Sequence, residues 1–237
     1  MIRVAAVGDV HYDHHPRESI RPHFEALSQR ADLLLIAGDL TQSGSLAEAK
    51  ALASDLSKIP IPVVAVLGNH DFHQNNEREI IQLLRDSGVS ALEGESITLT
   101  INQKRIGITG LKGFGGGFFG ACITEFGEPE MKAFAHHCRV QAEKLRKGLS
   151  QLEADYKFAL LHFSPVEGTL FGERKEIYPF LGSYLLAEAV DSASEVTAVF
   201  HGHAHMGVEK ATTPGGVPVR NVAQPVIRHA YKIYTFS

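Results

Sequence analysis

Five short segments carry the side chains with which this chain could do chemistry. Asp9 and His11 stand two residues apart, Asp39 follows Gly38, and Asn69, His70 and Asp71 run together after Gly68. Further on, His162 stands alone and His201, His203 and His205 alternate. Carboxylate, imidazole and amide oxygen together suit Mn²⁺, Fe or Zn²⁺ better than Ca²⁺ or a thiolate-seeking metal. The chemistry expected of them is metal-assisted.

Each segment comes at the end of an apolar run. Ile2 to Val7 leads to Asp9, Leu33 to Ala37 to Asp39, Val63 to Leu67 to Asn69, Phe158 to Leu161 to His162, and Val196 to Phe200 to His201. Runs this short and this uniformly hydrophobic read as strands buried on both faces. Ligands of open α/β sheets gather beyond the carboxyl ends of the strands, so five such ends predict one polar cleft.

The segments between them complete the architecture. Ile20, Phe24 and Leu27 predict a helix over 18–30. Ser45 with Glu48 and Asn76 with Glu79 have capping-box spacing and open helices reaching about Lys58 and Asp86, the second closed by Ser87-Gly88. Up to that point strand and helix alternate, which argues for parallel pairing. Ser96 to Ile101 and Arg105 to Thr109, joined around Asn102-Gln103-Lys104, then read as an antiparallel hairpin. Val217 to Val222 and Tyr231 to Phe236 close the chain as strands in the same style, and Glu130 to Leu152 is a long helix. The expected fold class is α/β: two mixed sheets packed face to face, with helices on the outer faces, in a single domain over residues 1–237.

Composition narrows the function. Hydrophobic residues make up 44% and charged residues 21%, as in ordinary globular proteins, and the net charge is −4. No basic run appears, so a nucleic acid polymer is not expected as a partner. Nor is a membrane, because no apolar stretch approaches the roughly 20 residues needed to span one. Met1 to Val4 leads straight into the first strand, which predicts no signal peptide and a cytoplasmic location. Cys122 and Cys138 form no C-x-x-C pair and read as free thiols. The sequence does not indicate an oligomeric state.

Several residues have two readings. The glycine-rich stretch Lys112 to Gly120 is either a flexible connector or a rim of the cleft, with Phe114 touching substrate. It is no Walker-type cradle, because no Gly-Lys-Ser/Thr follows. Arg174 or Lys175 either lies over a phosphate or belongs to an exposed charged loop, and Arg220, Asn221 and Arg228 are similar candidates. His201 and Asp71 are assigned to supporting ligands rather than to coordination. His14, His15, His73 and His229 read as surface or capping residues, the first three near the cleft entrance. His136 and His137 lack a metal-type i, i+4 partner and read as helix surface.

Taken in order, Asp9-x-His11, Gly38-Asp39, Gly68-Asn69-His70-Asp71, His162 and Gly202-His203-Ala204-His205 resemble the signature of the calcineurin-like metallophosphoesterase superfamily. The resemblance spans Asp9 to His205. It implies a four-layer α/β/β/α sandwich and a binuclear metal centre. Asp9, His11 and His205 would hold one ion, Asn69, His162 and His203 the other, and Asp39 would bridge them. A bridging water of lowered pKa would then attack phosphorus directly. His70 falls at the family position for the residue that stabilises the transition state or protonates the leaving oxygen.

The substrate class is less sharply marked. Gly38-Asp39-Leu40-Thr41-Gln42-Ser43-Gly44 departs from the Gly-Asp-x-x-Asp-Arg-Gly of the protein phosphatase branch. The chain looks more like the small bacterial phosphodiesterases, which implies a small, nucleotide-like phosphodiester as substrate. A phosphomonoesterase or pyrophosphate-cleaving enzyme on the same centre is the alternative. Some relatives of this fold are protein-binding scaffolds that have lost ligands, whereas here every expected ligand is present.

Overall fold

The computed structural model describes residues 1–13, 24 and 27–237. Two large sheets dominate it. The first has the strand order β13-β1-β2-β3-β4 and is built from β1 (Ile2–Val7), β2 (Leu33–Ala37), β3 (Val63–Val66), β4 (Ser90–Leu92) and β13 (Lys232–Phe236). Its four N-terminal strands pair in parallel, and β13 joins antiparallel to β1.

The second sheet has the order β11-β12-β10-β9-β6-β5. It contains β5 (Ser96–Ile101), β6 (Lys104–Leu111), β9 (Tyr156–Leu161), β10 (Val196–His201), β11 (Lys210–Thr212) and β12 (Pro218–Asn221). The β5–β6 hairpin turns through Asn102 and Gln103, both at positive φ (51° and 63°), as a tight two-residue connection requires. A small ribbon, β7 (Gly117–Phe118) with β8 (Ala121–Cys122), lies within the glycine-rich stretch and just beyond it.

The packing explains why the strands read as continuous apolar runs. Side chains alternate across the second sheet. Ile106, Ile108, Phe158, Leu160, Ala198 and Phe200 face the first sheet in one core, while Ala159, Leu161, Val199 and Val219 belong to a second core on the opposite face. Phe158 meets Phe200 (ring centroids 5.8 Å) and Phe236 (5.0 Å), which ties β9 and β10 to β13 across the gap between the sheets. Burying each such ring is worth about 1.5–3 kcal/mol.

Helices cover the outer faces. After α1 (Leu27–Arg30), α2 (Leu46–Leu56) and α3 (Glu77–Asp86) add Leu52, Leu56, Ile80 and Leu84 to the first core. The long α4 (Pro129–Ser150) adds Leu145 and Leu149 to the second, with two further helices, α5 (Tyr178–Leu181) and α6 (Tyr184–Asp191), following. The result is a mixed α/β fold with two large sheets flanked by helices. Among the described residues no helix is long and apolar enough to cross a membrane. Both cysteines are free; burial pushes the Cys138 thiol up to about 11.

Local details differ from the sequence expectations. Of the helix expected over 18–30, only its end, α1, and the helical Phe24 fall within the described residues; His14 and His15 fall outside them. Ser45 does cap α2 by accepting from Glu48 N (3.2 Å), but Glu48 bonds back to Ser43 N and Oγ, so the capping box is not reciprocal. Asn76 makes no cap bond at α3, because its amide is drawn to the Gly44 carbonyl (3.1 Å).

The closing strands do not pair with each other. β12 runs parallel to β10 and antiparallel to β11, whereas β13 lies in the other sheet. A short helix, α7 (Gln224–Ile227), follows β12 before the chain reaches β13.

Candidate metal centre

The carboxyl ends of β1, β2 and β3 in one sheet and of β9 and β10 in the other open at the same end of the molecule, and the loops that leave them are knitted together. Asp9 N donates to Gly38 O (3.0 Å), His11 N to Asp39 O (2.9 Å) and Gly8 N to Val222 O (2.8 Å). Asp9, His11, Asp39 and His203 all adopt left-handed backbone, with φ of 56°, 45°, 47° and 69°. Such turns are unfavourable for residues other than glycine, and they swing each side chain off its strand axis into the shared space.

Three overlapping groups result: Asp9, His11 and His205; His11, Asp39 and His70; Asp39, His162 and His203. Within each, one ligand atom per residue lies within 4.8 Å of the others. Asn69 joins them, its Oδ1 lying 2.9 Å from His162 Nε2. Asp9 is 2% exposed and Asp39 1%, and a buried carboxylate is tolerated only where it is paired or bound to a metal. Both ring nitrogens of His11 are buried without a hydrogen-bond partner among the described residues. An orphaned imidazole facing two sunken carboxylates fits a divalent cation, and the oxygen and nitrogen donors suit a first-row transition metal.

Hydrogen bonds set which imidazole nitrogen faces inward. His162 Nδ1 is held by the Ala37 carbonyl (3.0 Å), His203 Nε2 by the Phe180 carbonyl (3.0 Å) and His70 Nδ1 by the Gln42 carbonyl (2.8 Å). These carbonyls accept, so those nitrogens carry the protons and the opposite ones keep free lone pairs. Burial, with His162 close by, pushes His203 down to about 4, which leaves it neutral at ordinary pH. Burial likewise lowers His11, outweighing the attraction of Asp39 and Asp9. Burial alone would raise the Asp9 carboxyl, but a hydrogen bond from His205 (2.8 Å) and the neighbouring imidazoles hold it below the usual range; the same bond raises His205.

Two glycines permit the close crossings. A Cβ on Gly38 would fall 2.4 Å from His162 Nδ1, and one on Gly202 would fall 2.3 Å from Asp9 Oδ2. The glycine of one motif therefore makes room for a candidate ligand of another.

The supporting residues lie around this cluster. Asp71 is fully buried and accepts from Leu40 N (3.1 Å), Thr41 N (2.8 Å), Thr41 Oγ1 (2.6 Å) and Gly68 N (2.8 Å), so one carboxylate clamps the loops that present Asp39 and Asn69. His201 points away from the ligand groups to Thr169 Oγ1 (2.9 Å) and is kept neutral by burial, its pKa pushed down to about 4. Asn221 donates to the Ala204 carbonyl (2.8 Å), bracing the turn between His203 and His205.

The other sequence candidates scatter. Phe114 is half-buried and packs on Phe163 (5.9 Å), whose ring meets His203 (4.5 Å), so it stands one aromatic layer from the cluster. Arg174 and Lys175 are exposed, and neither side chain makes a hydrogen bond or ion pair among the described residues. His73 stacks beside His70 (4.8 Å), whereas Arg228 and His229 are exposed and Arg220 covers Tyr234. His137 is exposed but packs edge-on against Phe114 (4.5 Å). The sequence reading placed Lys112 only as the start of the glycine-rich stretch and gave its side chain no role, yet it stands at the end of β6 beside His162. A sixth strand end entering the same cleft was the available signal.

Among curated proteins, none matches the chain by sequence. Among solved structures, the fold is similar to that of phosphopantetheinyl hydrolase (PptH) from Mycobacterium tuberculosis. The two are 15% identical over 99% of this chain and 96% of that one, with a TM-score of 0.69. It is also similar to the protein TT1561 of Thermus thermophilus, at 15% identity over 93% and 88% of the respective chains and a TM-score of 0.58. Residues 2–207 match the family model described as calcineurin-like phosphoesterase, a stretch that runs from the first strand through the last candidate ligand. The chain therefore belongs to the calcineurin-like phosphoesterases, a family of metal-dependent phosphoester hydrolases.

Proposed function

We propose that the chain hydrolyses a small phosphodiester at a centre of two divalent ions. One ion would be held by Asp9, His11 and His205 and the other by Asn69, His162 and His203, with Asp39 shared between them. The observation that carries this reading is the overlap of the three ligand groups through Asp39 and His11, which places one buried carboxylate between two sets of imidazoles. Bound there, divalent ions would supply Lewis-acid polarisation of the phosphoryl group and activation of water.

The protein's own residues supply the rest. His70 N donates to Asp39 Oδ1 (2.8 Å), which fixes both residues in place. With Nδ1 donating to Gln42 O, Nε2 of His70 is left to take up a second proton, and the imidazolium so formed delivers that proton to the leaving oxygen. The left-handed turns and the Asp71 clamp preorganise the groups before substrate arrives. Phe180, exposed beside His203, offers apolar contact to an ester arm, which favours an ester carrying an organic group over inorganic phosphate alone.

The test is hydrolysis of bis-p-nitrophenyl phosphate against p-nitrophenyl phosphate by metal-stripped protein refilled with Mn²⁺, Zn²⁺ or Mg²⁺. Diester cleavage that returns with metal supports the reading, and a monoester preference overturns its substrate class. Asp39→Asn should lose metal together with activity. Retention of two ions per chain at wild-type affinity in that variant would remove Asp39 from the bridging position.

A further inference from the structure

The loop after β6 holds a cation for which the metal centre gives no account. Lys112 follows Leu111, whose partner in the parallel pairing of β6 with β9 is Leu161, so Lys112 stands level with His162. Its carbonyl accepts from both His162 N and Phe163 N (each 3.0 Å), which locks the two strand ends together. The residue is only 8% exposed. Its ammonium lies 4.7 Å from the ring centroid of Phe72, 5.1 Å from Phe114 and 5.2 Å from Phe163. These rings come from the loops that also carry His70 and His162 and from the glycine-rich rim.

An ammonium has three hydrogen-bond donors. Among the described residues, none of those of Lys112 meets an acceptor and no carboxylate forms an ion pair with it. Glu93 accepts from the backbone N of Lys112 (3.4 Å) rather than from its ammonium. Burial lowers the lysine, with Glu93 and Asp39 pulling it the other way. A desolvated cation packed against π-systems, with Glu93 and Asp39 acting on it only at a distance, is attracted to the rings but keeps its donors vacant, and vacant donors on a buried charge call for an external acceptor.

We propose that Lys112 is a substrate-binding residue whose ammonium takes an anionic phosphoryl oxygen of the ester turned over at the adjoining centre. The inference rests on the phosphoesterase reading above and extends it to the residue that orients the substrate. A compact ammonium suits this task because it can donate to a phosphoryl oxygen arriving from any direction, while the aromatic walls hold its stem rigid and keep water off it. The oxygen belongs either to the reacting phosphate or to a second phosphate on the same substrate; the chemistry of contact is shared.

The experiment compares the metal-loaded wild type with Lys112→Met, which keeps the length of the stem in the aromatic box. If the contact is to the reacting phosphate, losing one charge-assisted hydrogen bond should raise KM for bis-p-nitrophenyl phosphate about 10- to 100-fold and weaken inhibition by inorganic phosphate in parallel, with metal content and melting temperature near wild type. If it is to a second phosphate, KM for this single-phosphate ester should stay unchanged and inhibition by pyrophosphate alone should weaken. Unchanged KM and unchanged inhibition by both anions overturn the proposal.

A second measurement needs no variant. Phosphate or pyrophosphate, at concentrations that inhibit turnover, should slow reductive methylation of Lys112 in the wild-type protein, read by mass spectrometry. Equal methylation with and without either anion overturns the proposal. A wild type that hydrolyses no phosphoester yet shows phosphate protection of Lys112 would count against the proposed reaction while leaving this binding role standing.

Discussion

Gly38→Ala isolates the close approach on which His162 depends. Gly38 has φ of +82°, a left-handed conformation, and an added Cβ would fall 2.4 Å from His162 Nδ1, 2.5 Å from Cγ and 2.6 Å from Cβ. Two effects follow. An alanine held in left-handed backbone costs about 1–2 kcal/mol, and forcing a methyl into a filled space about 1–3 kcal/mol more. Together these amount to about 2–5 kcal/mol, or a melting temperature lower by roughly 4–20 °C for a chain of this size. The imidazole would also be pushed off the Ala37 carbonyl, so the variant should lose metal from the group that contains Asp39, His162 and His203.

Gly88→Ala is the control. Gly88 has φ of +90°, but a Cβ there meets nothing within 4 Å among the described residues, so only the conformational cost of about 1–2 kcal/mol applies and metal binding should be untouched. Calorimetry on both variants, with metal content measured after dialysis, separates the two effects. Equal melting shifts, with full metal content in Gly38→Ala, would refute the idea that this glycine exists to admit His162.

Asp71→Asn replaces one of two oxygens that together accept four hydrogen bonds with an amide donor facing N–H groups. Stability in urea should fall by about 2–4 kcal/mol, and an unchanged midpoint would rule out the clamp. For His70→Ala the expectation is a kcat about 10²–10⁴ lower with metal content unchanged; wild-type kcat would exclude His70 from proton transfer. Away from the site, the side-chain hydrogen bond from Arg3 holds the Asp32 carboxyl below its usual range. The stability from that pair is therefore complete above the unfolded pKa of about 3.9 and is lost as pH falls through the lower folded value. Asp32→Asn should flatten the urea midpoint against pH below about pH 5, and a profile parallel to wild type would contradict this.

The parts of the fold legible in the sequence were those fixed by burial on two faces. Phe158 and Leu160 pack toward one core and Ala159 and Leu161 toward the other, so the run had to be uniformly apolar and its end had to meet the first polar residue, His162. The same logic located Asp9, Asp39 and Asn69. Caps were less legible, because a capping side chain chooses among all partners in space. Asn76 reached Gly44 and Glu48 reached Ser43, both on the loop after Asp39. The closing strands were assigned to one style because nothing in Val217 to Val222 or Tyr231 to Phe236 marks which sheet each joins. Lys112 escaped because β6 read as a hairpin arm ending at Thr109. The two residues by which the strand runs on past Thr109, Gly110 and Leu111, pair with Leu160 and Leu161 and carry the lysine to the cleft.

The backbone at the centre makes a further point about how such a site is kept. Asp9, His11, Asp39 and His203 each sit in left-handed conformation, at about 1–2 kcal/mol apiece. What holds them is local and redundant. Asp9 N and His11 N donate to the loop after β2, and both carboxylate oxygens of Asp9 accept from His203 N (3.1 and 2.8 Å). One side chain thus secures the turn at the end of the other sheet, and neither turn can relax without unsealing the other. A metal ligand set drawn from two sheets has no covalent reason to stay in register. Here the register is imposed by hydrogen bonds from candidate ligands to candidate ligand backbones, so the strain is stored before any ion binds. Glycine substitutions at these four positions should therefore act twice, relieving backbone strain while removing donors. A variant such as His11→Gly is expected to be thermally at least as stable as wild type in metal-free buffer, yet to bind metal far more weakly; a lower melting temperature in metal-free buffer would show that the turn at His11 is not strained.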